Sequence, residues 1–324
     1  MAVVLALDFG GTKHTAGLVD WPLEPRQRLA WLAYARQDSP VGANAKIDLE
    51  IMLDLANRLL NGNHPVAIGV SFGGPVDYET NTVRLSHHVP GWEDFSLSAI
   101  LQEKFQCNTS VDNDANVAAL GEFVFGAGKN CNSLLYITVS TGVGGGWILD
   151  HKIWHGTGSM AGEIGHTVVD PLGPTCLCGK QGCVERLASG PFLAQDARLL
   201  LSQDLQQGLI LRELANGNLD SITAQLISQA AALGDTLSIS LLNRAAHAIG
   251  VGIGNAANLI NPQRFILGGG VTKSGEQFWQ TIRKTARRIA LPQVQIEILP
   301  AALADDAPLW GAVALADQWL SNRS

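Results

Sequence analysis

Apolar residues run almost unbroken from Val3 to Leu7 and again from Thr15 to Val19, separated by the turn Asp8-Phe9-Gly10-Gly11-Thr12-Lys13. Continuous apolar runs of this length mark strands buried on both faces. The opening MAVVLALDFGG therefore predicts a first strand; it lacks the basic region and cleavage site of a signal peptide. Strand, glycine turn and strand form a hairpin, which differs from the dinucleotide and Walker loops, where a helix follows the glycines. The same plan returns at Leu134 to Val139, Ser140-Thr141-Gly142-Val143-Gly144-Gly145-Gly146, and Trp147 to Leu149. Two such hairpins predict a duplicated fold whose halves clamp one phosphate chain.

Between the hairpins, Ile51, Leu55 and Leu59 form one stripe of a helix over Ile47 to Leu60, and Val66 to Val70 reads as a buried strand. That strand ends in the glycine loop Ser71-Phe72-Gly73-Gly74-Pro75-Val76-Asp77, and Ser86-His87-His88-Val89-Pro90-Gly91-Trp92 is a second loop. Asn113-Asp114 opens a helix running through Val117 to Phe125. Helices are further expected over Pro191 to Ser202, Ile210 to Ala215, Ser221 to Leu233, Thr236 to Ile260, Gly275 to Ile289 and Leu309 to Leu320. Short strands are expected at Arg264 to Leu267 and Val294 to Leu299. The run Ala245 to Ile260 contains His247, three glycines and two asparagines, which fits a buried helix and no membrane span. Glycines inside that helix imply close packing or ligand approach. The class is α/β with two domains. The chain crosses between them near Asn113 and near Asp305 to Gly311, giving residues 1–113 plus about 311–324 against about 114–310.

The 324 residues suffice for two cores, and 46% hydrophobic against 16% charged residues describes a compact globular chain. A formal net charge of -7 offers no general attraction to nucleic acid or an anionic membrane, so neither is an expected partner. Of the five cysteines, three cluster and Cys107 and Cys131 stand apart, which places the chain in a reducing cytoplasm.

That cluster is the most specific feature. Glu163 to Glu185 reads EIGHTVVDPLGPTCLCGKQGCVE and packs His166, Cys176, Cys178 and Cys183 together. One imidazole and three thiolates make a closed tetrahedral set for structural Zn2+, with Gly179 and Gly182 turning the knuckle. Metal on His166 and Cys183 would also fix Glu163 and Glu185, two carboxylates able to accept the paired hydroxyls of a sugar. The glycine turns expose backbone N–H groups, a threonine hydroxyl and Lys13 to phosphate oxygens. Asp8 could hold Mg2+ through water. Gly268, Gly269 and Gly270 admit something flat against bare backbone. Asp114 reads either as an ordinary N-cap or as a general base kept ionised by the helix dipole.

The motifs DFGGTK, GGPVD, HVPGW, DNDANVAALGE, STGVGGG, EIGH, CLCGKQGCVE and LGGGV, in this order over essentially the whole chain, resemble the ROK family of repressors, open reading frames and sugar kinases. The resemblance implies an actin-like, hexokinase-type pair of domains with a cleft between them. It implies an ATP-dependent kinase, glucokinase-like, in which Asp114 takes the proton from the 6-hydroxyl of a hexose. Asn113, Glu163, His166 and Glu185 would bind the sugar, and the Gly74 loop would close on it. Gly10, Gly11, Thr12 and Lys13, with Thr141, Gly142, Val143 and Gly144, would meet the phosphates of ATP, and Gly268 to Gly270 the adenosine. A homodimer is implied too. His87-His88 stands where many members carry Pro-Asn, so glucose is the first expectation, beside an N-acetylated amino sugar (N-acetylglucosamine or N-acetylmannosamine), mannose or fructose. A sugar-sensing regulator lacking its DNA-binding domain is the alternative from another class, because only seven residues precede Asp8 and regulators carry a helix-turn-helix there.

Overall fold

The computed structural model describes residues 2–23, 29–86 and 89–321; His87 and His88 lie outside the described residues. Strands and helices alternate as the patterning implies. β1 (Val3–Phe9), β2 (Lys13–Asp20), β3 (Ala33–Asp38), α1 (Ala45–Leu60) and β4 (Pro65–Phe72) come first, then the short pair β5 (Val76–Asp77) and β6 (Thr82–Val83). Next are α2 (Leu97–Phe105), β7 (Asn108–Asn113), α3 (Asp114–Phe125), β8 (Leu134–Val139), β9 (Val143–Leu149) and β10 (Lys152–Ile153). The remainder comprises α4 (Val184–Ala188), α5 (Gly190–Gln203), α6 (Leu209–Leu214), α7 (Ala224–Ala232), α8 (Thr236–Leu259), β11 (Arg264–Gly268), α9 (Glu276–Ile289), β12 (Ile298–Pro300) and α10 (Ala307–Ser321).

The first five-stranded sheet has the order β3-β2-β1-β4-β7. β1 pairs antiparallel with β2 and parallel with β4, and β4 runs parallel to β7. Both faces are covered, which explains the unbroken apolar run. Leu5 and Leu7 pack with Met52, Leu55, Trp92 and Leu101 on one side, while Val4 and Ala6 meet Val117, Leu309 and Val313 on the other. Register aligns Asp8 with Ser71 and Ser71 with Asp112. One row across three strands thus carries polar groups at their carboxyl ends, the usual ligand edge of an open α/β sheet. The second sheet has the order β10-β9-β8-β11-β12. It repeats the first strand for strand: an antiparallel outer pair, the hairpin, then two parallel strands.

Two compact units emerge. Unit one is Met1–Tyr136 with Gly146–Gly162 and Ala301–Ser324; unit two is Ile137–Gly145 with Glu163–Pro300. This division differs from a boundary at Asn113, because α3 and α10 pack backbone to backbone. A Cβ on Gly311 would lie 1.8 Å from the carbonyl oxygen of Val117, and one on Gly121 2.5 Å from that of Ala307. α3 is therefore built into unit one. The buried carboxylate of Glu122 reinforces it by accepting the backbone N–H groups of Ala302 and Leu303 at 3.1 and 2.8 Å. Gly311→Ala is expected to cost roughly 3 kcal/mol in chemical denaturation, since neither helix backbone can yield without opening the core. A loss under about 1 kcal/mol would show that the two helices separate freely.

In unit two, α8 fulfils the expectation of close packing. Cβ atoms on Gly250 and Gly254 would each come within 2.6 Å of side chains on α9. Among the described residues no helix is long and apolar enough to cross a membrane.

Candidate functional site

In unit one the chemistry gathers where β7 turns into α3. Asn113 supplies the helix cap: its Oδ1 accepts from the backbone N of Ala115 at 3.0 Å and of Asn116 at 3.4 Å. That removes the ordinary capping role from Asp114, which sits at the first helical position with Oδ1 accepting from Ala115 N at 2.8 Å. The helix N-terminus alone would hold this carboxyl low. Burial, and after it the negative charge of Asp8, outweigh the dipole and push Asp114 up to about 6. It is still ionised at neutral pH, and it binds a proton far more readily than an exposed aspartate.

Asn113 also donates through Nδ2 to the carbonyl of Gly74 at 3.0 Å, tying the glycine loop to the corner. Asp8 Oδ1 accepts from Ser71 Oγ at 2.8 Å, and burial raises its carboxyl against the pull of that bond and of Lys13. Gly10 N donates to Lys13 O at 3.1 Å, closing the first turn.

Sequence reasoning gave no role to Asp112 or His155, yet both belong to this corner. Asp112 is 2% exposed. Its Oδ1 accepts from Asn113 N at 2.7 Å and Asn116 Nδ2 at 3.1 Å, and its Oδ2 faces His155 Nε2 at 2.6 Å. The Tyr78 ring stacks on His155 with centroids 3.7 Å apart and planes 6° apart. Asp112 was visible as the residue preceding the Asn-Asp pair; nothing in the spacing announces a histidine 43 positions further on.

Unit two carries the knuckle. One ligand atom from each of His166, Cys176, Cys178 and Cys183 lies within 4.8 Å of the others. Cys178 Sγ and Cys183 Sγ are 3.6 Å apart, and Cys176 Sγ is 4.0 Å from His166 Nδ1. Tetrahedral zinc with about 2.3 Å to sulfur and about 2.0 Å to nitrogen requires edges of about 3.5 to 3.8 Å. The donor set fits zinc in number and kind; the Cys178–Cys183 edge already has the required length, and the others need the donors to draw in by up to about 1 Å. Its electrostatics agree, because burial pushes the Cys183 thiol up to about 12, so a thiolate there needs a cation beside it. Gly182 is obligatory at a φ of 65°, where a Cβ would lie 1.6 Å from the carbonyl oxygen of Asp170.

Cys183 is also the residue before α4, so the knuckle fixes the start of the helix that carries Glu185. Glu185 Oε2 accepts the backbone N–H of Val143 at 3.0 Å. One of the amides expected to face phosphate is thereby aimed at a carboxylate expected to face sugar. Ser140 N closes the same turn on Gly142 O at 2.8 Å, with Thr141 between them and Gly144 already in β9. Glu163 is exposed and precedes the turn Ile164–His166, whose His166 N donates to Glu163 O at 3.1 Å. Gly268 ends β11, Gly269 packs against Val139, and nothing lies within 4 Å of a Cβ on Gly270. Asp8, Gly74, Asn113 and Asp114 are thus assembled in unit one, and the knuckle, Glu163, Glu185 and the second turn in unit two.

Known proteins resemble the chain as a whole. The chain is 38% identical over 272 residues to a glucokinase of Halalkalibacterium halodurans, covering 82% of each. It is 32% identical over 252 residues to a xylose repressor of Caldicellulosiruptor bescii, covering 77% of this chain and 62% of the repressor. The crystal structure of a ROK family glucokinase from Streptomyces griseus in complex with glucose and AMPPNP matches with a TM-score of 0.83 at 33% identity, over 98% of this chain and 100% of that one. The actin-like α/β fold is therefore shared, and the ROK family model matches residues 4–319. The chain belongs to the ROK family.

Proposed function

We propose that the chain is an ATP-dependent hexose kinase that transfers the γ-phosphoryl group of ATP to the 6-hydroxyl of a hexose, glucose before the other sugars. The observation that carries this reading is the β7–α3 corner. Asn113 takes the capping bonds, leaving Asp114 with a carboxyl poised near 6 to accept a proton at neutral pH. As the proton moves to Asp114, the sugar oxygen forms a bond to the γ-phosphorus and the bond to the ADP oxygen breaks. The family relatives named glucokinase, and the neighbour holding glucose and AMPPNP, support the same substrates.

Sugar hydroxyls are assigned to Asn113, Glu163, His166 and Glu185, with the Gly74 loop closing over them. His166 turns Nδ1 toward the thiols, so its sugar contact falls to Nε2. Phosphate oxygens are assigned to the amides of Gly11, Thr12, Gly142 and Gly144, the Thr12 and Thr141 hydroxyls and Lys13. The Gly10 and Val143 amides are used inside the protein and shape the turns. Adenosine is assigned to the open face at Gly268 to Gly270. Asp8, a half-buried carboxylate raised by desolvation and so favoured by a nearby cation, would hold Mg2+, which when bound neutralises charge on the phosphates. Zinc is structural, and a cytoplasmic homodimer completes the reading.

Hexose-dependent ADP release across a panel of common sugars is the test; no release with any of them would end this reading. In the same assay kcat/KM should fall about tenfold per pH unit below about 6, because only ionised Asp114 accepts the proton. A flat profile between pH 5 and 7 would remove Asp114 from that role.

A further inference from the structure

The half-buried His155 and the buried Asp112 that it meets belong to none of the roles assigned above. We infer that His155 is a positioning residue for phosphoryl transfer, holding Asp112 so that Asp112 in turn fixes the Asn113-Asp114 corner. The inference rests on the kinase reading and extends it to a side chain that need not touch either substrate.

The geometry runs in one direction. His155 Nε2 lies 2.6 Å from Asp112 Oδ2, and a carboxylate acceptor requires the proton on Nε2, so the ring donates. Asp112 Oδ1 then accepts the Asn113 N–H at 2.7 Å and the Asn116 side chain at 3.1 Å. Asn113 passes the constraint on twice, capping α3 through Oδ1 and holding the Gly74 carbonyl through Nδ2 at 3.0 Å. Two donors from the β7–α3 junction and one from 43 positions further along the chain therefore converge on one buried carboxylate, which itself lies one residue from the cap and two from the base.

The histidine is held in place as well. It lies beyond β10, its ring is 13% exposed, and Tyr78 stacks flat upon it. Tyr78 is anchored through its backbone N to Ser159 Oγ at 3.3 Å. Asp112 sits in the row of Asp8 and Ser71 at the carboxyl end of the sheet, so its backbone is fixed by the strand pairing while its side chain is held by the three donors. Losing the His155 donor would leave a buried carboxylate oxygen unpaired, and the carboxylate would turn to find another partner. The group that turns is the one holding Asn113, and small errors in aim at a reacting centre cost rate more than affinity.

The test compares His155→Ala, His155→Gln and Tyr78→Ala in the full chain. His155→Ala is expected to lower kcat about tenfold while KM for glucose and ATP stays within about twofold. His155→Gln keeps an N–H of similar reach and should recover most of the loss. Tyr78→Ala removes the stack and keeps the donor, so its kcat should stay within about threefold of wild type. Hydrogen exchange at the Asn113 amide should quicken in His155→Ala and recover in His155→Gln. Wild-type kcat in His155→Ala, or equal impairment of the alanine and glutamine variants, would overturn the inference. A wild-type protein that phosphorylates no sugar would defeat the kinase reading instead, and the Asn113 exchange rate alone would then decide whether His155 holds the corner.

Discussion

Asp114→Asn should reduce hexose-dependent ADP release by at least about a thousandfold without loss of thermal stability. Asparagine is nearly isosteric and leaves the capping bonds of Asn113 untouched, so α3 has no reason to fray. What disappears is the one group placed to take the hydroxyl proton. The stability half follows from the sign of the pKa shift. Folding raises this carboxyl from 3.8 to about 6, so the native state binds its proton more tightly than the unfolded chain. Stability contributed by the group is then greatest below the unfolded value near 4 and declines as pH rises through about 6. At pH 8 wild type carries the full cost of a buried charge facing Asp8, and the neutral amide does not. The variant should melt at or above the wild-type temperature at pH 8, and the difference should shrink as pH approaches 4. Thermal scans at several pH values beside the coupled assay measure both halves. Turnover near that of wild type would remove the base, and a lower melting point at pH 8 would mean the carboxylate stabilises the corner.

Much of this fold was legible because its signals are local. The both-face apolar runs of β1 and β4, the stripe on α1 and the repeated strand–turn–strand plan all arise from neighbours within a dozen positions, and each appears where expected. β3 was not foreseen, since AYARQD is largely exposed at a sheet edge and lacks a buried face to mark it. α2 was missed because its nine residues are too few to display a stripe, although Leu97, Leu101 and Phe105 are buried. The strand expected at Val294 to Leu299 shortens to Ile298–Pro300, as only its end pairs with β11.

The site divides along the same line. Cysteine and histidine spacing announced the knuckle, and the Asn-Asp pair announced the corner. The bonds that shape the chemistry join distant positions: His155 to Asp112, Glu185 to Val143, Asn113 to Gly74. The direction of the Asp114 shift was equally beyond reach. The dipole argument needs one helix, whereas the burial and the Asp8 charge that outweigh it come from tertiary packing.

The knuckle supports the second large effect. Cys183→Ser should abolish stoichiometric zinc, lower the melting temperature by at least about 8 °C, and raise the glucose KM by at least about tenfold. Cys183 is fully buried, so a serine hydroxyl there loses the metal and gains nothing in exchange. Its backbone carbonyl begins α4, and two residues later Glu185 holds the Val143 amide at 3.0 Å. Loosening the knuckle therefore releases a proposed sugar carboxylate and the second glycine turn in a single event. Cys178→Ser offers the graded comparison. That thiol is exposed and the Lys180 N–H beside it draws it down to about 7, so its loss removes a ligand without opening the interior. Cys178→Ser should weaken zinc while costing less in melting temperature than Cys183→Ser. Elemental analysis, thermal scans and glucose titrations on the same preparations separate the cases. Normal glucose affinity in zinc-free Cys183→Ser protein would cut the link between the metal and the carboxylates, leaving the knuckle as a fold element with no part in placing the sugar.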